Sequence, residues 1–213
     1  MEKIIADYIP NLENMSDNCL VEQLSDVASH DIANVNWGEY PYAPQVKFHI
    51  AFSDKAFAFL VKVTEDNVRG LCLEPNGPVW EDSCVEIFID NPNGEGYFNF
   101  ETNCIGTALA AYRRSRTDAD MFGPEYMSKI RTAVSLPHEE RDIVAEGQQW
   151  WMLKVIPFEV LGLDSAPESL RCNFYKCGDG CAQPHYLSWS PIDLPQPNFH
   201  CPEFFGEITL KQA

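Results

Sequence analysis

Two runs of alternating apolar and polar residues, separated by one turn, constrain the fold of this chain more than any other feature. In the first run Val85, Ile87 and Ile89 share one face, and in the second run Phe98 and Phe100 do. A period of two is typical of a β-strand with one buried face. The segment DNPNGEG between the runs is rich in turn-forming residues, so the two runs predict a β-hairpin.

Similar short runs recur along the chain. They lie at residues 47–52, 57–63, 129–136, 149–157, 172–176 and 205–210. The polar segment 117–126 is predicted to be a loop, and the acidic segment 138–148 is predicted to be a hairpin turn. Short strands at hairpin spacing, with little helix between them, predict an all-β fold. We expect a single-domain antiparallel β-sandwich of the immunoglobulin-like or jelly-roll-like kind.

The amino-terminal part of the chain shows no sharp boundary with the rest. The segment LVEQLSDVA predicts one short helix there. A sandwich of 213 residues is commonly a single domain. We therefore interpret residues 1–35 as an N-terminal extension packed on one domain that spans residues 1–213.

The balance of charges restricts the possible partners. The chain has 32 acidic and 15 basic residues, which gives a formal net charge of −17. Such a surface repels phosphate backbones and anionic lipids, so we expect neither nucleic acid nor a membrane as a partner. A neutral ligand meets no such penalty. Near the hairpin, Trp80, several carboxylates and the arginines of residues 113–116 could together bind a hydroxyl-rich molecule, for which a sugar is the natural candidate.

The segment MEKIIADYIPNLENMSD lacks the apolar centre of a signal peptide, and no apolar stretch approaches the roughly 20 residues that span a bilayer. As written, the chain is expected in the cytoplasm, or outside the cell or in the periplasm if a leader was removed. A monomer is favoured. Most of the eight cysteines are predicted to be reduced, because the chain is neither short nor visibly secreted.

Long ordered motifs also carry a family resemblance. They are WGEYPYAPQVKFHIAFSDKAFAFLVKV, VWEDSCVEIFID, YFNFETNCIGTALAAY, NFYKCGDGCAQPHYLSWSPI and NFHCPEFFGEITL. Together they resemble the family 9 carbohydrate-binding modules, in particular the stand-alone Bacteroides-type branch, over residues 36–210. The resemblance implies a sandwich that binds sugar without cleaving it, linked to polysaccharide catabolism.

The resemblance further implies that a terminal sugar lies between two tryptophans, whose positions match Trp80 and Trp189. A pyranose has apolar C–H faces that stack on flat rings, while its hydroxyls point outward in the plane of the sugar ring. The alternative is that a tryptophan in a sandwich belongs to the core. We favour that alternative for Trp37, Trp150 and Trp151.

The predicted hydrogen-bonding residues are Glu86, Arg113, Arg116 and Asn173, again by resemblance. A carboxylate accepts hydrogen bonds from two neighbouring hydroxyls, and a guanidinium group donates in a fork. The register within RRSR leaves Arg114 as an alternative to the other two arginines. The other interpretation of these charges is a surface ion pair, worth about 0–1 kcal/mol.

Two metals come into consideration. Calcium in a structural role is implied by the resemblance and by the acidic loops, although no segment matches an EF-hand loop. Zinc is the alternative, because one pair of cysteines has the spacing of a zinc knuckle. The candidate zinc ligands are Cys172, Cys177, Cys181, His185, His200 and Cys201.

Catalytic motifs are missing from the sequence. It contains no GxSxG elbow, no HExxH motif and no P-loop. One alternative function is nevertheless a sugar-acting enzyme of the glycoside hydrolase type that uses Glu86 or Glu101. The other is a protein-interaction domain, because a sandwich fold does not by itself imply ligand binding.

Overall fold

The computed structural model describes residues 2–211, which form two β-sheets packed face to face. The strands are β1 Lys3–Ile5, β2 Asp7–Tyr8, β3 Ser29–Asp31, β4 Asn34–Val35, β5 Gln45–Phe52, β6 Ala56–Gly70, β7 Cys84–Asp90, β8 Tyr97–Asn103, β9 Ala108–Arg113, β10 Ala119–Met121, β11 Arg131–Val134, β12 Arg141–Pro157, β13 Ser169–Cys177, β14 Tyr186–Ser188 and β15 Gly206–Thr209. The helices are α1 Asp17–Asp26 and α2 Pro124–Met127, with 3-10 turns at Leu12–Asn14, Val79–Glu81, Phe158–Leu161 and Pro202–Phe204. The predicted β-sandwich is confirmed.

One sheet, here called the front sheet, has the strand order β1-β15-β13-β7-β8-β9-β10, with β14 beside β13 and β4 beside β14. The other, the back sheet, has the order β11-β12-β6-β5-β2, with β3 also paired to β5. Most neighbours are antiparallel, as predicted. The exceptions are β1 with β15 and β2 with β5, which pair in parallel because the amino-terminal strands join the edges of both sheets.

The predicted hairpin is β7 and β8, and its side chains alternate as expected. Val85, Ile87 and Phe100 face the back sheet and belong to the core between the sheets. The opposite, outer face of the hairpin carries Phe88 and Tyr97, which belong to a second apolar cluster. The inner face of this hairpin therefore forms part of the core between the sheets, and its outer face packs in the second apolar cluster.

Strand β8 is buried on both faces, whereas its alternation predicted one solvent-exposed face. All seven of its residues are buried. The outer face is covered by aromatic side chains from remote segments, including Trp37 and Phe199. These covering segments turn the outer face of the front sheet into the floor of a pocket.

Residues 9–27 pack on the back sheet. The predicted helix is α1, and its first turn begins at Ser16, whose hydroxyl accepts a hydrogen bond from the backbone N–H of Cys19 at 3.4 Å. Leu20 and Leu24 of α1 pack against the outer face of the back sheet, beside Leu153 of β12. Among the helices within residues 2–211, none is long and apolar enough to cross a membrane.

Two predictions of local structure are wrong. Segment 117–126 contains β10 and the start of α2 and is not wholly a loop. The predicted acidic turn at 138–148 is largely strand, because β12 begins at Arg141 and pairs with β6 as far as Gly70, with a register irregularity between Val144 and Gln148. Backbone pairing with the long partner strand overrides the low strand propensity of these polar residues.

Candidate functional site

A pocket of about 480 Å³ opens on the outer face of the front sheet. Its volume lies within the roughly 300–1,000 Å³ that is usual for small-molecule sites. Its polar lining includes Glu86 of β7, Glu101 of β8 and Arg113 of β9, which are contributed by three neighbouring strands. The pocket therefore has a rigid floor, because its polar groups stand on paired strands.

Glu86 and Glu101 are direct cross-strand partners on that floor. Both are buried. The Oε1 atom of Glu86 accepts a hydrogen bond from the Cys177 thiol at 3.1 Å, and Oε1 of Glu101 accepts one from the Asn99 amide at 2.6 Å. The Oε2 atom of Glu101 is buried and has no partner among the described residues. The floor therefore contains an acceptor that no described residue satisfies.

Both carboxyl groups bind protons more tightly than an ordinary glutamate does. Burial, and next the charge of Glu101, raise the pKa of Glu86 well above its ordinary value. Burial raises the pKa of Glu101 to about 7, while Arg113 and the amide of Asn99 oppose that rise. One of the two carboxyl groups is therefore protonated near neutral pH, which gives the floor both a donor and an acceptor.

Arg113 and Arg116 both line the pocket, and Arg114 does not. The Nε atom of Arg113 donates to Oδ1 of Asn99 at 3.0 Å, and one terminal nitrogen donates to the carbonyl oxygen of Arg116 at 2.8 Å. Arg114 instead pairs with Asp118 and Asp120 on the surface. Within RRSR, residues 113 and 116 therefore face the pocket.

Trp80 stands at the wall of the pocket, with 38% of its surface exposed. It lies in the 3-10 turn Val79–Glu81, before β7. The turn is fixed by Asp82, whose carboxylate accepts hydrogen bonds from the backbone N–H groups of Leu71 and Cys72. A rigid turn therefore presents an exposed aromatic ring to the pocket.

Further aromatic side chains of the pocket come from segments that sequence reasoning did not assign to the site. Tyr40 and Tyr186 line the pocket, and their rings meet edge to face with centroids 4.8 Å apart. Asp179 also lines it, and partial loss of hydration raises the pKa of Asp179 to about 6, against a hydrogen bond from the Tyr186 hydroxyl. The loop 196–200 completes the wall.

His200 closes this loop side of the pocket. Its Nδ1 atom lies 2.8 Å from the hydroxyl of Tyr97. Burial, together with Arg113 and Arg116, lowers the pKa of His200 to about 3. The imidazole is therefore neutral at physiological pH and offers the site a hydrogen bond without a charge.

Trp189, predicted as the second sugar-stacking ring, is not in this pocket. Only 5% of its surface is exposed, and its ring packs on Phe174 at 5.4 Å and on Phe48 at 6.2 Å between the centroids. The prediction is wrong because Trp189 points to the core between the sheets. The alternation in HYLSWS already indicates that Trp189 faces the core, because it places Trp189 on the same face as the fully buried Leu187.

Asn173 is likewise absent from the pocket lining. Its side-chain nitrogen donates to the carbonyl oxygen of Ser190 at 3.0 Å, and its oxygen accepts from the backbone N–H of Ser190 at 2.8 Å. The prediction of a ligand contact is wrong because this amide is fully occupied in holding the segment after β14. Asn99, two residues before Glu101 on the same face of β8, supplies an amide beneath the pocket instead.

One group of three potential metal-binding side chains is found within residues 2–211. Cys84, Glu86 and Cys177 place their ligand atoms within 4.8 Å of one another, and all three are buried. Two thiols and a carboxylate suit zinc, whereas calcium takes oxygen ligands. This group therefore does not fit calcium.

The zinc cluster proposed from cysteine spacing is not assembled. Cys172 faces the core between the sheets. The Nε2 atom of His185 lies 2.7 Å from Nζ of Lys176, and His200 bonds Tyr97. These side chains have separate partners, so the spacing of Cys177 and Cys181 does not create a shared site.

Tyr40, Tyr186, Asp179 and the loop 196–200 were missed because they are far apart in sequence. Glu101 was considered only for catalysis, although it shares the outer face of β8 with Tyr97 and Asn99. The pocket joins exposed and half-buried aromatic rings to buried carboxyl groups and to guanidinium and imidazole groups that are less buried. Such a combination can stack on the apolar face of a small molecule and bond its hydroxyls.

Comparison with known proteins agrees with this chemistry. The family described as Carbohydrate-binding family 9 matches residues 16–210. A search of curated proteins gave no significant match. Among solved structures, a candidate carbohydrate-binding protein from Bacteroides uniformis ATCC 8492 is 31% identical, with a TM-score of 0.93, and the match covers 99% of each chain.

Two structures of a carbohydrate-binding module of family 9 from Caldicellulosiruptor kristjanssonii share the fold. The glucose complex is 16% identical with a TM-score of 0.61, and the match covers 100% of this chain and 97% of that one. The cellotriose complex is 15% identical with a TM-score of 0.63, covering 100% and 95%. With the family match extending over most of its length, this chain belongs to carbohydrate-binding family 9, a family of non-catalytic binding modules.

Proposed function

We propose that the pocket on the front sheet binds the terminal unit of a mono- or oligosaccharide without chemical change. The observation that carries this proposal is the exposed ring of Trp80 beside the buried pair Glu86 and Glu101 in one pocket. Trp80 supplies an apolar plate, and the carboxyl groups bond hydroxyls of the same ring. Tyr40 and Tyr186 replace Trp189 as the opposing aromatic surface.

The polar groups match a sugar better than a charged ligand. Arg113 and Arg116 balance part of the negative charge of the carboxyl groups, and the buried carboxyl groups hold a proton near neutral pH. A site with mixed donors and acceptors and little net charge suits vicinal hydroxyls. We expect weak affinity, with a Kd on the order of micromolar to millimolar, because few ligand atoms are engaged.

The solved relatives suggest the first ligands to try. The titles of the two Caldicellulosiruptor structures name glucose and cellotriose. We extend these ligands to the present chain as a proposal and place its role in polysaccharide catabolism. A polysaccharide whose hydrolysis exposes chain ends would supply the ligand.

The direct test is calorimetric titration with glucose and cellotriose. We expect saturable binding by the wild type and at least about tenfold weaker binding by Trp80→Ala, a loss of about 1.4 kcal/mol. Tyr126→Ala is the matched control, because Tyr126 is an exposed aromatic residue that does not line the pocket. Unchanged binding by Trp80→Ala would sink the proposed site.

The enzyme alternative has a different readout. Incubation of cellotriose with the protein should release no new reducing ends, whereas a hydrolase would release them and lose that activity on Glu86→Gln or Glu101→Gln. Glu86 and Glu101 stand side by side on one floor, while a glycosidase holds its two carboxyl groups on either side of the bond it cleaves.

Calcium remains a proposal that is separate from the sugar pocket. It rests on the family resemblance and on the excess of acidic residues, and its ligands would be carboxylates and backbone carbonyls of exposed loops. An ion that binds only the folded chain raises Tm by mass action. We expect Tm to be higher in calcium than in EGTA. An identical Tm in both, with stoichiometric zinc by elemental analysis, would favour the Cys84–Glu86–Cys177 group instead.

A further inference from the structure

A second cavity, of about 530 Å³, lies between the two sheets at their edge. Phe100 and Ala110 of the front sheet form one side, and Thr132 and Lys154 of the back sheet form the other. The segment 122–130, which contains α2, covers the end. Because Phe100 points to the core while Glu101 points outward, the cavity and the sugar pocket lie on opposite faces of the front sheet.

Lys154 is the distinctive group of this cavity. Only 2% of its surface is exposed. It lies on the same face of β12 as Met152 and Ile156, which belong to the core. Its Nζ atom donates a hydrogen bond to the Thr132 hydroxyl at 3.0 Å. No carboxylate pairs with Lys154 among the described residues. A buried ammonium group without an anion is costly to the fold.

Lys176 shows how the same fold treats another buried lysine. Its Nζ atom lies 2.8 Å from Oε2 of Glu65, and both side chains are fully buried. The chain therefore supplies a carboxylate to one inward-facing lysine and none to the other. In a chain with a formal net charge of −17, a cationic cavity without an acidic lining residue is an exception that points to an anion from outside.

The other residues that line the cavity indicate the chemical character of the rest of that anion. Thr107 lines the cavity, is buried, and has a hydroxyl without a partner among residues 2–211. The other walls are mainly apolar, with Phe122, Met127 and Ile130 among them. An apolar body would fill this space, and one carboxylate could accept hydrogen bonds from Lys154 and the threonine hydroxyls.

We propose that this cavity is a second binding site, for a small carboxylate with an apolar body, such as a medium-chain fatty acid. Lys154 recognises the carboxylate, Thr107 and Thr132 bond its oxygens, and the apolar walls hold the chain. The site is independent of the sugar pocket, so neither proposal depends on the other.

Calorimetric titration with octanoate tests the proposal, with 1-octanol as a neutral ligand of equal chain length. We expect octanoate to bind saturably, at one per chain, and at least about tenfold more tightly than octanol. Lys154→Met should remove this preference, because methionine keeps an unbranched side chain but has no charge. Lys62→Met, at an exposed lysine on β6, should leave it unchanged.

Circular dichroism is used to check that Lys154→Met is folded, and Thr107→Val gives a second test that leaves the lysine in place. Thr107→Val should weaken octanoate more than octanol. Trp80→Ala should leave octanoate binding intact and separates this site from the sugar pocket. Absence of saturable octanoate binding, equal affinity for octanol, or a preference that survives Lys154→Met would each overturn the proposal.

Discussion

Glu86 and Glu101 face each other across β7 and β8, and both are buried at the floor of the sugar pocket. Two carboxyl groups that are neighbours in a buried site cannot both ionise freely. The pair therefore holds a proton near neutral pH. That proton affects both the stability of the protein and the hydrogen bonds that the two carboxyl groups offer to a ligand.

We predict that Glu101→Gln stabilises the protein at alkaline pH and has little effect in acid. The pKa of Glu101 is raised from 4.5 to about 7 in the folded state. A raised pKa gives stability that is present below the ordinary value and is lost as pH rises from about 4.5 through 7. Glutamine mimics the protonated form, so the gain at pH 8 should approach roughly 3 kcal/mol, at about 1.4 kcal/mol per pKa unit.

Denaturant unfolding at pH 4.5 and pH 8 measures this difference. Glu139→Gln, at an exposed glutamate, is the control and should change stability by less than about 0.5 kcal/mol at either pH. An equal effect of Glu101→Gln at both pH values would show that the carboxyl group is not protonated preferentially in the folded state.

Substitution of the two predicted tryptophans should have opposite consequences. Trp80→Ala should abolish most sugar binding with little loss of stability, because Trp80 is 38% exposed. Trp189→Ala should cost about 3–5 kcal/mol, because it leaves a cavity in the core. Fluorescence titration with cellotriose and denaturant unfolding measure the two effects. A Trp189→Phe variant that stays folded but loses sugar binding would restore Trp189 to the site.

The site should recognise the end of a sugar chain. We expect the alditol of cellotriose, made by reducing its terminal ring, to bind at least about tenfold more weakly, or by about 1.4 kcal/mol. Reduction opens the ring that would stack on Trp80 and leaves the bonds of Glu86 and Glu101 unsatisfied. Calorimetry with matched samples measures the ratio. Equal affinity for cellotriose and its alditol would rule out recognition of the reducing end.

The two buried lysines provide a matched pair for stability. Burial lowers the pKa of Lys154 from 10.5 to about 8. The penalty for its charge is therefore present below about pH 8 and fades as pH rises toward 10.5. Lys154→Met should stabilise the protein at pH 7 by about 3 kcal/mol, at about 1.4 kcal/mol per pKa unit, and by less at pH 10.

Lys176→Met should act in the opposite direction. It leaves Glu65 buried without its ion-pair partner and should cost about 3–5 kcal/mol. Denaturant unfolding of both variants at pH 7 and pH 10 measures the contrast. Destabilisation of the protein by Lys154→Met at pH 7 would show that the charge of Lys154 is compensated in the folded chain.

The sequence by itself determined the fold class and the central hairpin. Alternation in β7 and β8 identified the core face through Val85 and Ile87, because a strand has a strict period of two. The same alternation placed Glu86 and Glu101 on the other face. Such local patterns survive folding because each depends only on the geometry of one strand.

The tertiary structure alone decided which side chains meet in the pocket. Tyr40 and Asp179 on loops, and Tyr186 on β14, are brought to Trp80 by chain paths that no local pattern encodes. Trp189 shows the converse, since a position matched by resemblance lies just after β14 and packs in the core against Phe174. A binding site that combines strands and loops depends on long-range packing, and the pairing of remote strands supplies the information that a single segment lacks.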